Sequence, residues 1–310
     1  MRQSKYWDDF ARRVDETVLA IKNDKDPIVR RVACFVTDRC NFRCEYCNSD
    51  HNGEVMDKMT FLKMVAKYGD NAIIHVTGGE PSIVGWLYPF LEKNGDKYRF
   101  HLNTNAFITP PSKSVKRLKV SLDNTDAEKW DKIVGRKGAF EKVVANIKDA
   151  CSETVVSITY TLSKKTFRDA INFAKFCNKE FPGLYAVFFS VYKGENVDYR
   201  FSDDEVNEFY NDIMPELLEE LNDESRSLML ETIDEKRRIM EGVRFEQNST
   251  SGICHLSMSE RVISPSGEES TCSHLYRDGI MLDSPIKHEK CKYGCNRRLV
   301  AFNEEVCKQL

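Results

Sequence analysis

The chain has 310 residues, 41% of them hydrophobic, which is enough to bury one large core or two smaller ones and excludes disorder for most of its length. Lys and Arg number 46 against 49 Asp and Glu, a net charge of −3, and a surface with no dominant sign argues against a broad nucleic-acid or anionic-membrane interface. Eleven cysteines are present, yet residues 1–25 are charged throughout with no apolar h-region for secretion, so a disulfide framework is not expected. No run approaches the roughly 18 apolar residues of a membrane span. The composition therefore points to a cytoplasmic, reducing setting, with metal as the first explanation of the cysteines.

Tyr6, Phe10, Val14, Val18 and Ile21 recur at three-to-four spacing and predict an amphipathic helix over 4–21, part of an N-terminal helical appendage in residues 1–28. A strand follows at 31–36, a helix at 56–68 and a strand at 72–76. Next come a helix at 85–93, a strand at 98–102 and, after the breaker Pro110-Pro111, a strand at 115–122. Helices 126–133 and 140–151 lead to strand 155–162, helix 167–181 and, past Pro182-Gly183, strand 185–191. Two charged helical segments, 203–222 and 225–242, close the region. Six strands alternating with helices predict parallel βα units with ligands at the carboxyl ends of the strands. Beyond 242 the pattern turns polar and short, which places a domain boundary near 243.

The sequence Cys40-Asn41-Phe42-Arg43-Cys44-Glu45-Tyr46-Cys47 sets three thiols at C-x3-C-x2-C directly after the first predicted strand. A looping chain at that spacing can aim three sulfurs at one centre, and three ligands where four are wanted leave a position open for substrate or cofactor. A zinc knuckle lacking its fourth ligand, or three buried thiols, are the plainer readings.

This arrangement resembles the radical S-adenosylmethionine (SAM) superfamily over residues 29–242. The resemblance implies an α/β fold, a partial (β/α)6 TIM-like barrel, with a 4Fe-4S cluster on Cys40, Cys44 and Cys47 and SAM on the fourth iron. Gly78-Gly79-Glu80-Pro81 ends the second predicted strand, where family members bind the SAM amino group; residues without side chains expose carbonyls that accept from an ammonium. Asn103-Thr104-Asn105 ends the third strand and is similar to the family's Thr-Asn-Gly, with Ala106 where glycine would stand. By the same resemblance Ser121 and Arg136 are candidate partners of the SAM carboxylate, and Tyr46 sits where family members pack an aromatic near adenine.

Cys254 and Cys272 enclose a Pro265-Ser266-Gly267 turn that predicts a hairpin, and Cys291 and Cys295 form a C-x3-C pair. These four resemble the SPASM/twitch extension of radical SAM enzymes, which implies an auxiliary 4Fe-4S cluster in residues 243–310, the smaller twitch form being the better match. A zinc ribbon is the alternative there, and Cys307 is left over. Cys34, Cys151 and Cys177 read as small core hydrophobes.

The implied activity is reductive cleavage of SAM to a 5′-deoxyadenosyl radical, which takes a hydrogen atom from a small polar metabolite or a peptide. An auxiliary cluster would allow a net oxidation, making the chain an oxidoreductase. A redox-neutral isomerase or epimerase is the alternative, and an iron–sulfur electron carrier or a zinc-binding module lies further off. A one-electron donor such as flavodoxin or ferredoxin is the implied partner; neither a membrane nor nucleic acid is indicated. Fold geometry nominates Asp123, Tyr160, Thr161, Ser190, Tyr192 and Lys193 as substrate-facing.

Overall fold

Alternating burial along the strands decides which face of the sheet packs and which stays open. A computed structural model of the chain describes residues 5–26, 28–47, 53–242, 254–273, 276 and 297–310. In β3 (Arg99–Thr104), β4 (Arg117–Ser121), β5 (Val155–Leu162) and β6 (Ala186–Val191), Phe100, Leu102, Leu118, Val120, Ile158 and Phe189 are buried. The residues between them, including Arg99, His101, Asn103, Arg117, Lys119 and Thr159, are only half-buried. Successive side chains of a strand point to opposite faces, so one face is apolar and packed and the other polar and open.

The chain divides into two compact units. The larger comprises residues 37–55 and 76–244. Its strand order is β6-β5-β4-β3-β2, where β2 is Ile73–Thr77 and the last two residues of β2 fall in this unit. β3, β4, β5 and β6 pair in parallel, with Leu102 opposite Leu118 and Thr159 opposite Phe188. The crossovers run through α3 (Leu87–Asn94), α4 (Ala127–Ile133), α5 (Ala139–Cys151) and α6 (Ala170–Glu180). Phe173 of α6 packs on Tyr160 of β5 with ring centroids 4.4 Å apart.

After β6 the two helices expected at 203–222 and 225–242 are each broken. α7 (Asp203–Glu208), opened by a capping box between Ser202 and Glu205, passes through a π-helical turn at 209–213 into α8 (Met214–Glu220). Pro215 lacks the N–H that a continuous helix would use there. α9 (Asp223–Glu231) and α10 (Ile233–Met240) are separated at Thr232, whose φ of −119° is not helical.

The smaller unit joins residues 1–36, 56–75 and 245–310. It holds α1 (Lys5–Lys22), β1 (Arg31–Phe35), α2 (Lys58–Tyr68), β7 (Glu260–Ile263), β8 (Glu269–Ser270) and α11 (Arg297–Gln309). Strand order here is β2-β1-β7-β8. The hairpin expected around Pro265-Ser266-Gly267 is present as the antiparallel pair β7–β8, turning at Gly267 with φ 90°. Its first strand also pairs in parallel with β1, Arg31 opposite Glu260.

Residues 1–28 therefore share a unit with the C-terminal segment rather than forming an appendage of their own. Val14 and Val18 of α1 are buried with Leu256, Phe302 and Val306, and Arg13, only 3% exposed, donates from Nε to Ser259 Oγ at 2.9 Å. No helix among the described residues is long and apolar enough to cross a membrane.

Candidate active site

In the larger unit a cavity of about 350 Å³ lies at the carboxyl ends of β2, β3, β4 and β5. Cys40, Cys44 and Cys47 line it together with Gly78, Gly79, Glu80, Asn103, Asn105, Lys119, Ser121, Trp130 and Thr159. The cysteine loop is held by backbone contacts. Thr37 O accepts from Gly79 N at 2.7 Å and Arg39 O from Glu80 N at 2.8 Å, so the Gly-Gly-Glu segment is zipped to the residues leading into Cys40. On its other side Arg43 N donates to Val134 O at 2.9 Å and Glu45 N to Ile133 O at 3.0 Å, tying the loop to the end of α4. Phe42, 2% exposed, anchors it edge-on to Phe107 and Trp130, each at 5.8 Å.

The glycines have a steric reason. A Cβ on Gly78, whose φ is 145°, would lie 2.3 Å from Thr37 O, and one on Gly79 would lie 2.2 Å from Arg39 O. Two side chains are missing here because another backbone occupies their space.

Glu80, 1% exposed, accepts from Thr104 Oγ1 at 2.6 Å, Asn105 N at 2.6 Å and Ser82 N at 2.9 Å. Its carboxyl therefore organises the ends of β2 and β3. Burial pushes its pKa up, and the three donors oppose that shift. Asn105 then reaches Asn41 Oδ1 at 2.7 Å, beside Cys40. Ala106, which stands where glycine would, is left-handed at φ 54°, with Asn146 Nδ2 on its carbonyl at 2.8 Å. A left-handed alanine costs roughly 1–2 kcal/mol. Ala106→Gly is expected to raise unfolding free energy by about 1 kcal/mol in urea titrations; a lowered value would show that the strain is not there.

Asp123, 1% exposed, accepts from the Tyr46 hydroxyl and from Thr161 N at 2.5 Å. Burial pushes both its carboxyl and the Tyr46 phenol above their ordinary values. A carboxyl raised in the folded state binds its proton more tightly there than in the unfolded chain. Its stability contribution is present below the ordinary carboxylate pKa, near 3.8, and is lost as pH rises through the folded value. Asp123→Asn keeps an acceptor for Thr161 N–H, so the fall in unfolding free energy from about pH 4 upward should be shallower than in the parent. Equal slopes would contradict a buried, titrating Asp123.

Of the residues nominated as substrate-facing, Asp123 and Thr161 are thus engaged with each other, and Tyr160 points to the opposite face. Tyr160 is fully buried and its hydroxyl donates to Thr166 O at 2.7 Å. Residues 160 and 161 cannot share a face on a strand; Thr159, unmentioned from sequence, lines the cavity instead. Ser190 and Lys193 are exposed and the Tyr192 ring lies tilted against Tyr199, centroids 5.3 Å apart; none of the three lines the cavity. Arg136 lies outside the lining too, its guanidinium 4.0 Å from the Phe107 ring and donating to Asn41 O at 3.2 Å, where it braces the cysteine loop. Lys119 and Trp130, which also line the cavity, carry no motif in the sequence. The signal for Lys119 was its two-residue spacing from Ser121.

Among the described residues no three Cys, His, Asp or Glu side chains converge tightly enough for a single metal ion. The three thiols instead ring one cavity. That suits a cluster with a separate iron for each thiolate better than a tetrahedral ion. Burial holds Cys40 above its ordinary value and pushes Cys44 up to about 12, and the neighbouring cysteines add to both shifts. A bound cationic metal would reverse both shifts, because a coordinating thiol gives up its proton.

Cys254 packs against the α1–α11 core and accepts from Asn303 Nδ2 at 3.6 Å. Cys272 is half-buried. Cys291 and Cys295 lie outside the described residues.

The strand ends and first loop of this α/β sheet thus gather three thiols and a buried carboxylate network around one cavity. Residues 34–177 match the family model of the Radical SAM superfamily. GTP 3′,8-cyclase of Rhizobium etli is 32% identical over 170 residues, 47% of this chain and 47% of that protein. AdoMet-dependent heme synthase of Nitratidesulfovibrio vulgaris is 28% identical over 189 residues, 55% of this chain and 51% of that protein. The chain thus spans about half the length of the curated relatives it matches. Among solved structures, Streptococcus suis SuiB bound to precursor peptide SuiA aligns with a TM-score of 0.60 at 12% identity over 94% of this chain and 69% of that one. The anSMEcpe structure with bound AdoMet and Cp18Cys peptide aligns at 0.56 and 15% identity, over 90% and 82%. These likenesses show the partial-barrel fold.

Proposed function

We propose that this chain cleaves SAM reductively and uses the resulting 5′-deoxyadenosyl radical to abstract a hydrogen atom from a small polar metabolite or a peptide. The observation that carries the reading is the meeting of Cys40, Cys44 and Cys47 with the Gly78-Gly79-Glu80 turn around one cavity. When bound, a 4Fe-4S cluster and SAM supply the electron transfer and the radical. The chain's own residues hold and orient. The three thiols bind the cluster, Glu80 fixes the strand ends, and Asn103 and Ser121 offer hydrogen-bonding groups to SAM from β3 and β4. Tyr46, held by Asp123, closes one wall with an aromatic ring. Phe42, Trp130 and Val134 make the remaining wall apolar, which keeps water from a reactive intermediate.

The names of the sequence relatives, a GTP cyclase and a heme synthase, favour a small molecule over a peptide. A second cluster on Cys254, Cys272, Cys291 and Cys295 would permit a net oxidation, with a flavodoxin or ferredoxin as electron donor in the cytoplasm. Anaerobic reconstitution with iron and sulfide followed by dithionite and SAM tests the reading. Charge-transfer absorbance and 5′-deoxyadenosine are expected, with about eight irons per chain if both clusters assemble. Stoichiometric zinc with no visible absorbance and no 5′-deoxyadenosine would overturn it.

A further inference from the structure

Parallel strands in α/β folds are covered on both faces and read as continuous apolar runs. β3 to β6 do not. Their open face carries Arg99, Arg117 and Lys119 with hydroxyl residues between, and the four strands contain no Asp or Glu at all. The chain is net negative, so this local excess of cations is not a by-product of composition. Register places Asn103 opposite Lys119, and Lys119 opposite Ser157. Arg117 donates to Ser157 Oγ from Nε at 3.3 Å and Nη2 at 3.2 Å. Its guanidinium lies 5.0 Å from the centroid of the Phe188 ring, and the Lys119 ammonium lies 5.2 Å from that same ring. Thr159, on the neighbouring strand, holds a buried Oγ1 with no hydrogen-bond partner among the described residues.

We propose that this face is the substrate site and that it takes a molecule bearing an oxyanion, held by Arg117 and Lys119 over Phe188. The inference rests on the radical SAM reading and names the substrate class for it. Lys119 lines the cavity, and Arg117 lies two residues further along β4, roughly 7 Å deeper into the face. A substrate gripped there by its anionic end extends its other end toward the cavity, which is what hydrogen abstraction at a fixed carbon requires. Arg117 supplies a planar fork for phosphate or carboxylate and Lys119 a point charge.

Calorimetric titration of the reconstituted full chain with pyrophosphate and, separately, with glutarate tests the proposal. At least one is expected to bind at low salt, weaken as salt rises, and lose affinity roughly tenfold or more in Arg117→Gln but less in Arg117→Lys. Tighter binding of pyrophosphate assigns the oxyanion to a phosphorylated substrate; tighter glutarate assigns it to a carboxylate. If Arg117→Gln fails to fold, Lys119→Gln is expected to show the same loss. Binding of neither probe at about 10 mM, or equal binding by parent and Gln variants, overturns the proposal. Formation of 5′-deoxyadenosine by the unsubstituted chain is scored apart from binding: anion binding without it sinks the radical SAM reading, and its presence without anion binding sinks only this inference.

Discussion

Cys44→Ala is expected to leave the reconstituted chain without its first cluster and to lower 5′-deoxyadenosine formation by more than about a hundredfold, beyond the 10–100-fold usual for groups that only support a metal ligand. Cys44 lines the cavity with Cys40 and Cys47, and burial together with the neighbouring cysteines keeps its thiol protonated until metal arrives. Two remaining thiols cannot supply three iron positions. Cys34→Ala and Cys177→Ala make the comparison specific, because those thiols are 0% and 1% exposed in the core and removing them should change stability rather than iron content. Iron analysis, visible absorbance and product assay read the difference. Turnover retained by Cys44→Ala would remove the basis of the proposed function.

The order of strands and helices was legible because apolar spacing and Pro or Gly breakers report local structure directly. The strand predicted at 155–162 is β5 to the residue. The triplet of cysteines was legible because three residues in an eight-residue window must end up near one another. What was hidden depended on distant chain. Nothing in Arg261-Val262-Ile263 announces that it will pair with β1 as well as with its own hairpin partner, so the sharing of one unit by α1, β1 and α11 could not be read. Which residues line the cavity was less legible for a simpler reason. Neighbours along a strand were nominated together, although a strand sends only alternate residues to one face, and applying that rule from Ser121 back to Lys119 and Arg117 would have exposed the cationic face.

Ala106 shows how a departure from a family pattern is absorbed. Ala106 stands where glycine would and is itself left-handed, with Glu80 on the Asn105 amide and Asn146 on the Ala106 carbonyl fixing the backbone on both sides. The conformation belongs to the hydrogen-bond network around Glu80, and glycine only makes it cheaper.

Gly79→Ala is the second large effect, and it separates two reasons for the same glycine. One reason is ligand approach, in which a missing side chain bares a carbonyl for the SAM ammonium. The structure supplies another: the new Cβ would sit 2.2 Å from Arg39 O, 2.6 Å from Arg39 C and 2.7 Å from Asp38 O, all backbone atoms that cannot rotate away. The two segments must part, giving up the Gly79–Thr37 and Glu80–Arg39 hydrogen bonds, and Cys40 is the next residue along the displaced strand of chain. A shift on the order of 1 Å at a catalytic framework can cost about a hundredfold in rate, and two lost buried hydrogen bonds cost about 2–4 kcal/mol. Gly79→Ala should therefore show lower unfolding free energy before any cofactor is added, reduced iron after reconstitution and a comparable loss of SAM cleavage. Gly85→Ala, where nothing lies within 4 Å of the added Cβ, should show none of these. Normal stability and iron content in Gly79→Ala with SAM binding alone impaired would assign the glycine to the ligand instead of to the loop.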